Sequence, residues 1–368
     1  MLLDHLMQIK DVRRKQAQKY DLGTILFLCI LASASNANSY RKFHTFIEGR
    51  FDMLQKELGF NWLSAPSYST IRYVILGVST DDLEKAFRKD AIDRLNEMRD
   101  PDESIALSFD GKTAKGSFDN FAGKNAIQIL SVFSNKYKLI LAHEKVEEKT
   151  NEIPVAQALI PKLPFQDVIY TCDAINCQEK TIRTIVETDN NFVVQVKDNQ
   201  KHLLEDCKKI AEVSVPLDVY TEPIEKEHGR ITSRTAKIFD PSTIRNADGK
   251  WQNIKCIVQI ERKREVLLTK EKLYKDTSET SYYVSTKKIT AESLNSIIRG
   301  HWGIENSNHY VKDVTFGEDA SRIRVKPQNM IIFKSIALNI LRSNGIKNIA
   351  RQLYANSINL NNLLKLKI

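Results

Sequence analysis

The sequence predicts a mixed α/β chain: a helical amino-terminal part, a strand-and-helix core, a mostly β insertion, and a helical end. Three observations predict it. Apolar residues recur at helical spacing through the first hundred positions. Short apolar, β-branched runs bounded by turn residues take over near Ser104. Helical periodicity returns near Ala291 and again from Met330 to Arg342.

The elements follow in order. Leu22 to Ala34 reads as a buried helix, too short and too interrupted by Gly23, Thr24 and Ser33 to span a bilayer. Ser39 to Leu58 reads as one amphipathic helix, with Phe43, Phe46, Ile47, Phe51 and Leu54 on its apolar stripe. Pro66 and Ser67 open another, and Asp81 and Asp82 begin a fourth that carries Leu83, Phe87, Ile92 and Leu95. A basic cluster, Lys10, Arg13, Arg14, Lys15 and Lys19, precedes them. Such a region suits either a helix-turn-helix reader of DNA or a helical cap on the core.

From residue 104 the pattern alternates. Ser104 to Asp110, Ala126 to Phe133 and Lys138 to Val146 read as strands, the last two joined by a turn at Ser134 to Lys136. Glu152 to Leu163 reads as a helix with Pro154 in its first turn. Val168 to Asp173 is a fourth strand, Gln178 to Glu187 a helix, and Asn191 to Lys197 a fifth strand. The order β-β-β-α-β-α-β is that of ribonuclease-H-like folds, in which the first and fourth strands are neighbours. Arg234 to Phe239, Lys255 to Arg262 and Ser281 to Thr286 are strand-like within the insertion, with turns at Pro241, Asn246, Asp248 and Gly249. The expected division is 1–100, 101–204, 205–290 and 291–368.

Charge narrows the function classes. The 368 residues carry 55 Lys and Arg against 46 Asp and Glu, a formal charge of +9. That balance favours an anionic partner, and nucleic acid is the commonest for a large domain. A generically basic enzyme is the plainer reading. Five cysteines, at 29, 172, 177, 207 and 256, are odd in number and scattered, which excludes a disulfide framework and suits a reducing cytoplasm.

Asp110 and Asp173 each end an apolar strand, and Glu305 follows much later in a helix-compatible segment. Two strand-end aspartates and a late helical glutamate are the layout of a nuclease-type site with two divalent ions, which neutralise phosphate charge and activate an oxygen nucleophile. Mg2+ favours such hard oxygen ligands. On an α-helix Glu305 would share a face with His301 and His309, four residues either way, and with Lys312 at seven. Each residue also has a plainer role. A strand-end Asp is commonly a turn former, Glu305 a solvated helix residue, Trp302 a core residue and Lys112 a surface charge. A zinc site is disfavoured because the H-E-x-x-H spacing is absent.

Three stretches, IALSFDGKTAKGS, TCDAINCQEKTIRTIVETDNNFVVQVKDNQ and RGHWGIENSNHYVKDVTFGEDASRIR, resemble the DDE-type insertion-sequence transposases of the H-repeat-associated group. DVRRKQAQKYDLGTIL, SYRKFHTFIEGR and APSYSTIRYV resemble that group's amino-terminal domain, so the resemblance spans nearly the whole chain. It implies a ribonuclease-H-like core, Mg2+ or Mn2+ dependence with two ions per site, and cleavage and transfer of DNA strands at insertion-sequence ends. Carried over residue by residue, Asp110, Asp173 and Glu305 are the catalytic, metal-holding acids. Of the wider Y-x2-R-x3-E-x6-K signature, Glu305 and Lys312 match, whereas Ile298 and His301 occupy the Tyr and Arg positions.

Expected DNA contacts near the acids are Lys112, Arg299, His301, Trp302 and Lys312, with Arg322, Arg324 and Lys326 as a further basic cluster. Lys197, Asn199 and Gln200 after the fifth strand are candidates, with a polar turn as the plainer reading. His228, Gly229 and Arg230 are candidates in the insertion. The partners expected are double-stranded DNA, both terminal inverted repeats and target, and a second copy of the chain once assembled on DNA. No membrane partner is expected, and the location expected is cytoplasmic, at the nucleoid. A catalytically degenerate DNA-binding relative, a ribonuclease-H-like nuclease acting on other nucleic acid, and a structural DNA-binding protein are the competing readings.

Overall fold

The structure, a computed structural model, describes residues 2–368 apart from 101–102, 122, 149, 228–229, 247–248 and 269–272. His228, Gly229 and Asp248 therefore lie outside the described residues. The chain opens with six helices: α1 (Leu2–Met7), α2 (Leu22–Ser33), α3 (Tyr40–Glu48), α4 (Phe51–Leu58), α5 (Tyr68–Gly77) and α6 (Thr80–Met98). Next come β1 (Ala106–Thr113), β2 (Gln128–Ser134), β3 (Ile140–Val146), α7 (Glu152–Leu159), β4 (Ile169–Cys172), α8 (Glu179–Glu187), β5 (Asn191–Val196) and α9 (Lys201–Val213). The insertion supplies β6 (Asp218–Thr221), β7 (Glu225–Glu227), β8 (Arg230–Phe239), β9 (Cys256–Leu268) and β10 (Leu273–Ser285). After α10 (Ala291–His301) the chain winds as two π-helical turns, Ile304–His309 and Val311–Thr315, and ends in α11 (Pro327–Ser343), α12 (Ile349–Ile358) and α13 (Asn361–Leu364).

Local chemistry sets the helix starts. Asp21, Ser39, Ser67, Ser79, Asn151 and Thr290 each accept a backbone N–H from the first turn of the helix that follows. Asp81 and Asp82 add favourable charge to the first turn of α6. The single helix expected over Ser39 to Leu58 is instead two, broken at Gly49 and Arg50. Glycine is a poor helix former, and Arg50 leaves helical geometry at φ −127°, ψ 16°. The segment 205–213 also differs from the strand-rich expectation, because it belongs to α9.

The chain divides into two compact units: 1–103 with 111–150 and 304–368, and 104–110 with 151–303. In the first unit α2 is apolar on every side and all of its residues are buried, as a central helix requires. It packs against α1, α3, α5 and α11, while α6 packs on β3. Arg13, from the amino-terminal basic cluster, is itself buried and bonded to Asp11 and to the Ala17 and Tyr20 carbonyls.

β1 contributes to both units. In the first, the order is β3-β2-β1, with β2 and β3 antiparallel. In the second, β1 pairs parallel with β4 and β4 parallel with β5. This meander followed by two helix-linked parallel strands is the ribonuclease-H-like core. The insertion continues the same sheet, because β10 pairs antiparallel with β5 and the order runs on through β9 and β8 to β6. Ile169, Val193, Ile238, Val258, Leu294 and Ile298 form one buried cluster there, seating α10 on the sheet. All five cysteines are buried and free. Among the described residues no helix is long and apolar enough to cross a membrane.

Candidate active site

Two aspartates, Asp110 and Asp173, lie in the second unit. β1 and β4 are parallel with Ser108 opposite Thr171, and the two hydroxyls lie 2.7 Å apart, so both side chains face the same way. Asp110 and Asp173 each lie two residues further on. Side chains alternate along a strand, so by that periodicity Asp110 and Asp173 take the next row of that face. β4 ends at Cys172, yet Asp173 keeps extended geometry (φ −64°, ψ 159°) and holds the row. The opposite face is closed by Phe109 and Tyr170, both fully buried, with ring centroids 4.9 Å apart.

His301, at the end of α10, ties this row together. Its Nδ1 is 3.0 Å from Thr171 Oγ1 and its Nε2 is 3.3 Å from Asp173 Oδ1. With Nε2 carrying a proton the ring donates to Asp173, and the Nδ1–Thr171 and Thr171–Ser108 contacts continue the chain behind it. The hydrogen bond from His301 holds the Asp173 carboxyl below the usual range, and the charges of His301 and Lys197 help, against the opposing effect of burial. Asn199 donates to the Ala174 carbonyl at 2.7 Å and Gln200 to the Cys177 carbonyl at 2.8 Å. Both side chains thus brace the loop after Asp173, while Lys197 is exposed. Trp302 lines the same cleft as Asp173 and His301 and is 57% exposed, so it stands at the rim and not in the core. Arg299 pairs with Glu222 at 3.0 Å and Glu225 at 2.6 Å. Arg230, exposed, begins β8.

Glu305 belongs to the first unit and is exposed. The shared α-helical face expected for His301, Glu305, His309 and Lys312 does not form. From Ile304 the winding is π, whose i to i+5 bonding removes the i, i+4 alignment. Glu305 faces solvent, whereas Asn308, His309 and Lys312 are buried. Lys312 lies 3.4 Å from Glu318, and Lys112 bonds Asp313 and, at 3.2 Å, Glu318. Burial raises the Glu318 carboxyl, but the surrounding lysines, Lys312, Lys112 and Lys334, outweigh it and bring the carboxyl down to about 2. Burial is also the main reason the Lys334 ammonium is lowered to about 8. Lys326 donates to the Val78 carbonyl at 2.8 Å, Arg324 is partly buried, and Arg322 is exposed.

Among the described residues, no group of three or more His, Cys, Asp or Glu side chains is gathered as a metal site. Strand alternation sets Asp110 and Asp173 on the same face of β1 and β4, and Asp173 is bonded to His301. Reading residues one at a time missed Thr171 and Ser108, although the period-two spacing to the aspartates places them on the same face. It also missed Glu318, whose partners Lys112 and Lys334 are remote in sequence although Lys312 is only six positions away.

Comparison with known proteins finds relatives along nearly the whole chain. A family described as "Transposase DDE domain" matches residues 101–340, and one described as "DDE_Tnp_1-associated" matches residues 3–89. "Putative transposase YncI" of Escherichia coli O157:H7 is 31% identical over 353 residues, covering 93% of this chain and 87% of the relative. "H repeat-associated putative transposase YhhI" of Escherichia coli is 29% identical over 358 residues, covering 94% of this chain and 91% of the relative. A solved piggyBac transposase synaptic complex with hairpin DNA aligns over 98% of this chain and 73% of its own, at TM-score 0.42 and 11% identity.

Proposed function

This chain belongs to the DDE transposase family, and from that premise we propose that it cuts DNA at the ends of an insertion sequence and joins the freed strand to target DNA. The reaction proposed is hydrolysis of a phosphodiester, followed by attack of the liberated 3′-hydroxyl on a second phosphodiester. It needs no covalent protein intermediate. The observation that carries the reading is the parallel pairing of β1 with β4, in register at Ser108 and Thr171, each two residues before an aspartate.

Those two side chains fit a hard divalent cation. Both offer oxygen donors, Asp110 sits within β1 and Asp173 directly after β4, and the hydrogen bond from His301 favours the ionised Asp173. Asp110 and Asp173 would hold Mg2+ or Mn2+, with Glu305 as the proposed third acid. A pair of such ions, when bound, supplies neutralisation of phosphate charge and activation of water. The chain's own residues do the rest. His301, oriented by Thr171 and Ser108 on its Nδ1 side, holds the Asp173 carboxylate with its Nε2. Asn199 and Gln200 hold the loop that carries it. Trp302, exposed at the rim of the cleft, offers a stacking face for a displaced base. Lys197, Arg230 and Arg322 are exposed cations suited to backbone phosphate. The proposed setting is the cytoplasm, with two copies acting on paired ends.

Asp110→Asn tests the reading in a cleavage assay with Mg2+ and DNA carrying the element's own ends. The expected result is loss of cleavage with DNA binding retained. Intact cleavage by this variant would falsify the catalytic assignment.

A further inference from the structure

Arg342, on α11 in the first unit, is 8% exposed, and the hydrogen bonds it makes go to backbone. Nη1 donates to the Lys138 carbonyl at 2.6 Å and Nη2 to the Ser307 carbonyl. The guanidinium also lies 5.6 Å from the Phe133 ring centroid. Among the described residues it has no carboxylate partner within ion-pair distance. Buried charges are ordinarily matched by a counter-charge, because two carbonyl dipoles do not replace the solvation lost.

Arg342 lines an open groove together with Lys138, Lys347, Asn306, Ser307 and Gly345, and none of the residues lining it is acidic. Lys138 and Lys347 are exposed. Lys138 holds a left-handed backbone (φ 60°) in the turn between β2 and β3. Its ammonium is lowered first by burial and then by the charge of Arg342, so the two cations repel each other across the groove. Burial brings Arg342 itself down to about 9, still cationic at neutral pH. An anion in the groove would relieve both the repulsion and the missing counter-charge. Asn306 and Ser307, which line it, directly follow Glu305 in the chain.

We propose that this groove binds the phosphodiester backbone of a DNA strand beside Glu305, with Arg342 as the buried anchor and Lys138 and Lys347 as outer contacts. The identity of the strand rests on the transposase reading, but the phosphate contacts do not. Several cations along an open groove with no acidic wall suit a repeating anion. Asn306 and Ser307 add polar donors that need no particular base sequence.

The test uses full-length protein carrying Lys138→Glu with Lys347→Glu, and a labelled DNA duplex of arbitrary sequence, without divalent metal, across a salt series. Lys208→Glu with Lys209→Glu, two exposed lysines on α9, makes the same change in net charge. The groove variant should weaken binding by about tenfold or more and flatten the log-affinity against log-salt slope by about two, since each phosphate contact contributes roughly 0.9. The α9 variant should leave that slope near the wild-type value. The neutral pair Lys138→Gln with Lys347→Gln should shift affinity in the same direction but less. Unchanged affinity and slope in the groove variants would overturn the proposal, as would an equal effect from the α9 variant. Binding without metal is independent of cleavage, so failure here and failure of Asp110→Asn to stop cleavage are separate results.

Discussion

At the scale of single residues, neighbours decide what each charge can do. His301 is expected from sequence as a phosphate contact, and the structure bonds it to Asp173 and Thr171. Groups that orient a ligand-bearing side chain commonly matter ten- to a hundredfold. Thr171→Val removes the hydroxyl between Ser108 and His301 and changes the volume little. Cleavage should fall about tenfold or more with DNA affinity unchanged. Wild-type cleavage by that variant would count against the relay. Glu318 is the second case. It is the buried anion among Lys112, Lys312 and Lys334. Glu318→Gln should cost about 3–5 kcal/mol in denaturant unfolding, because it leaves buried ammonium groups unmatched. The sign with pH follows from a folded value near 2 against 4.5 for the free group. Its contribution is complete above about 4.5 and is lost as pH falls toward 2, so the gap between wild type and variant should close over that window. A gap that stays constant down to pH 2 would remove Glu318 from this role.

At the scale of elements, one glycine and one change of winding stand out. Gly116 follows β1 in the stretch DGKTAKGS, and a Cβ built there would meet the Ser321 carbonyl oxygen at 2.1 Å and that of Asp319 at 2.9 Å. Both obstacles are backbone, so no rotamer change clears them. Gly116→Ala should therefore destabilise by about 1–3 kcal/mol, read as a lowered thermal midpoint. A midpoint equal to wild type would show that the 319–321 segment yields freely. The π-helical turns from Ile304 to Thr315 are the other feature. Their winding leaves Glu305 in solvent while burying Lys312, a division that α-helical spacing does not predict. Such turns recur at functional sites.

At the scale of the whole molecule, the formal charge of +9 overstates the charge free for an anionic partner. Arg299, Lys112 and Lys312 each face carboxylates. Under the proposed DNA reading the attraction falls to other cations: exposed Lys197 and Arg322, and the acid-free groove around Arg342. The insertion is likewise part of a larger whole, because β10 joins the edge of β5 and lengthens the core sheet. It reaches the outer strands through the long β9–β10 hairpin, 13 residues in each strand.

The sequence by itself determined the order and type of the core elements and the resemblance that the family matches bear out; it expected Asp110 at a strand end, whereas β1 runs on to Thr113, and Asp173 follows directly after β4. Those properties are local: periodicity, capping and short motifs act within a few residues. The tertiary structure decided the rest. It broke the helix at Gly49, wound the Glu305 segment as π, and paired β10 with β5. It also set Lys112 against Asp313, 201 positions away, and left Arg342 facing a groove without a carboxylate. Charge pairing and sheet-edge choice depend on groups hundreds of residues apart, and no short window of sequence contains both partners.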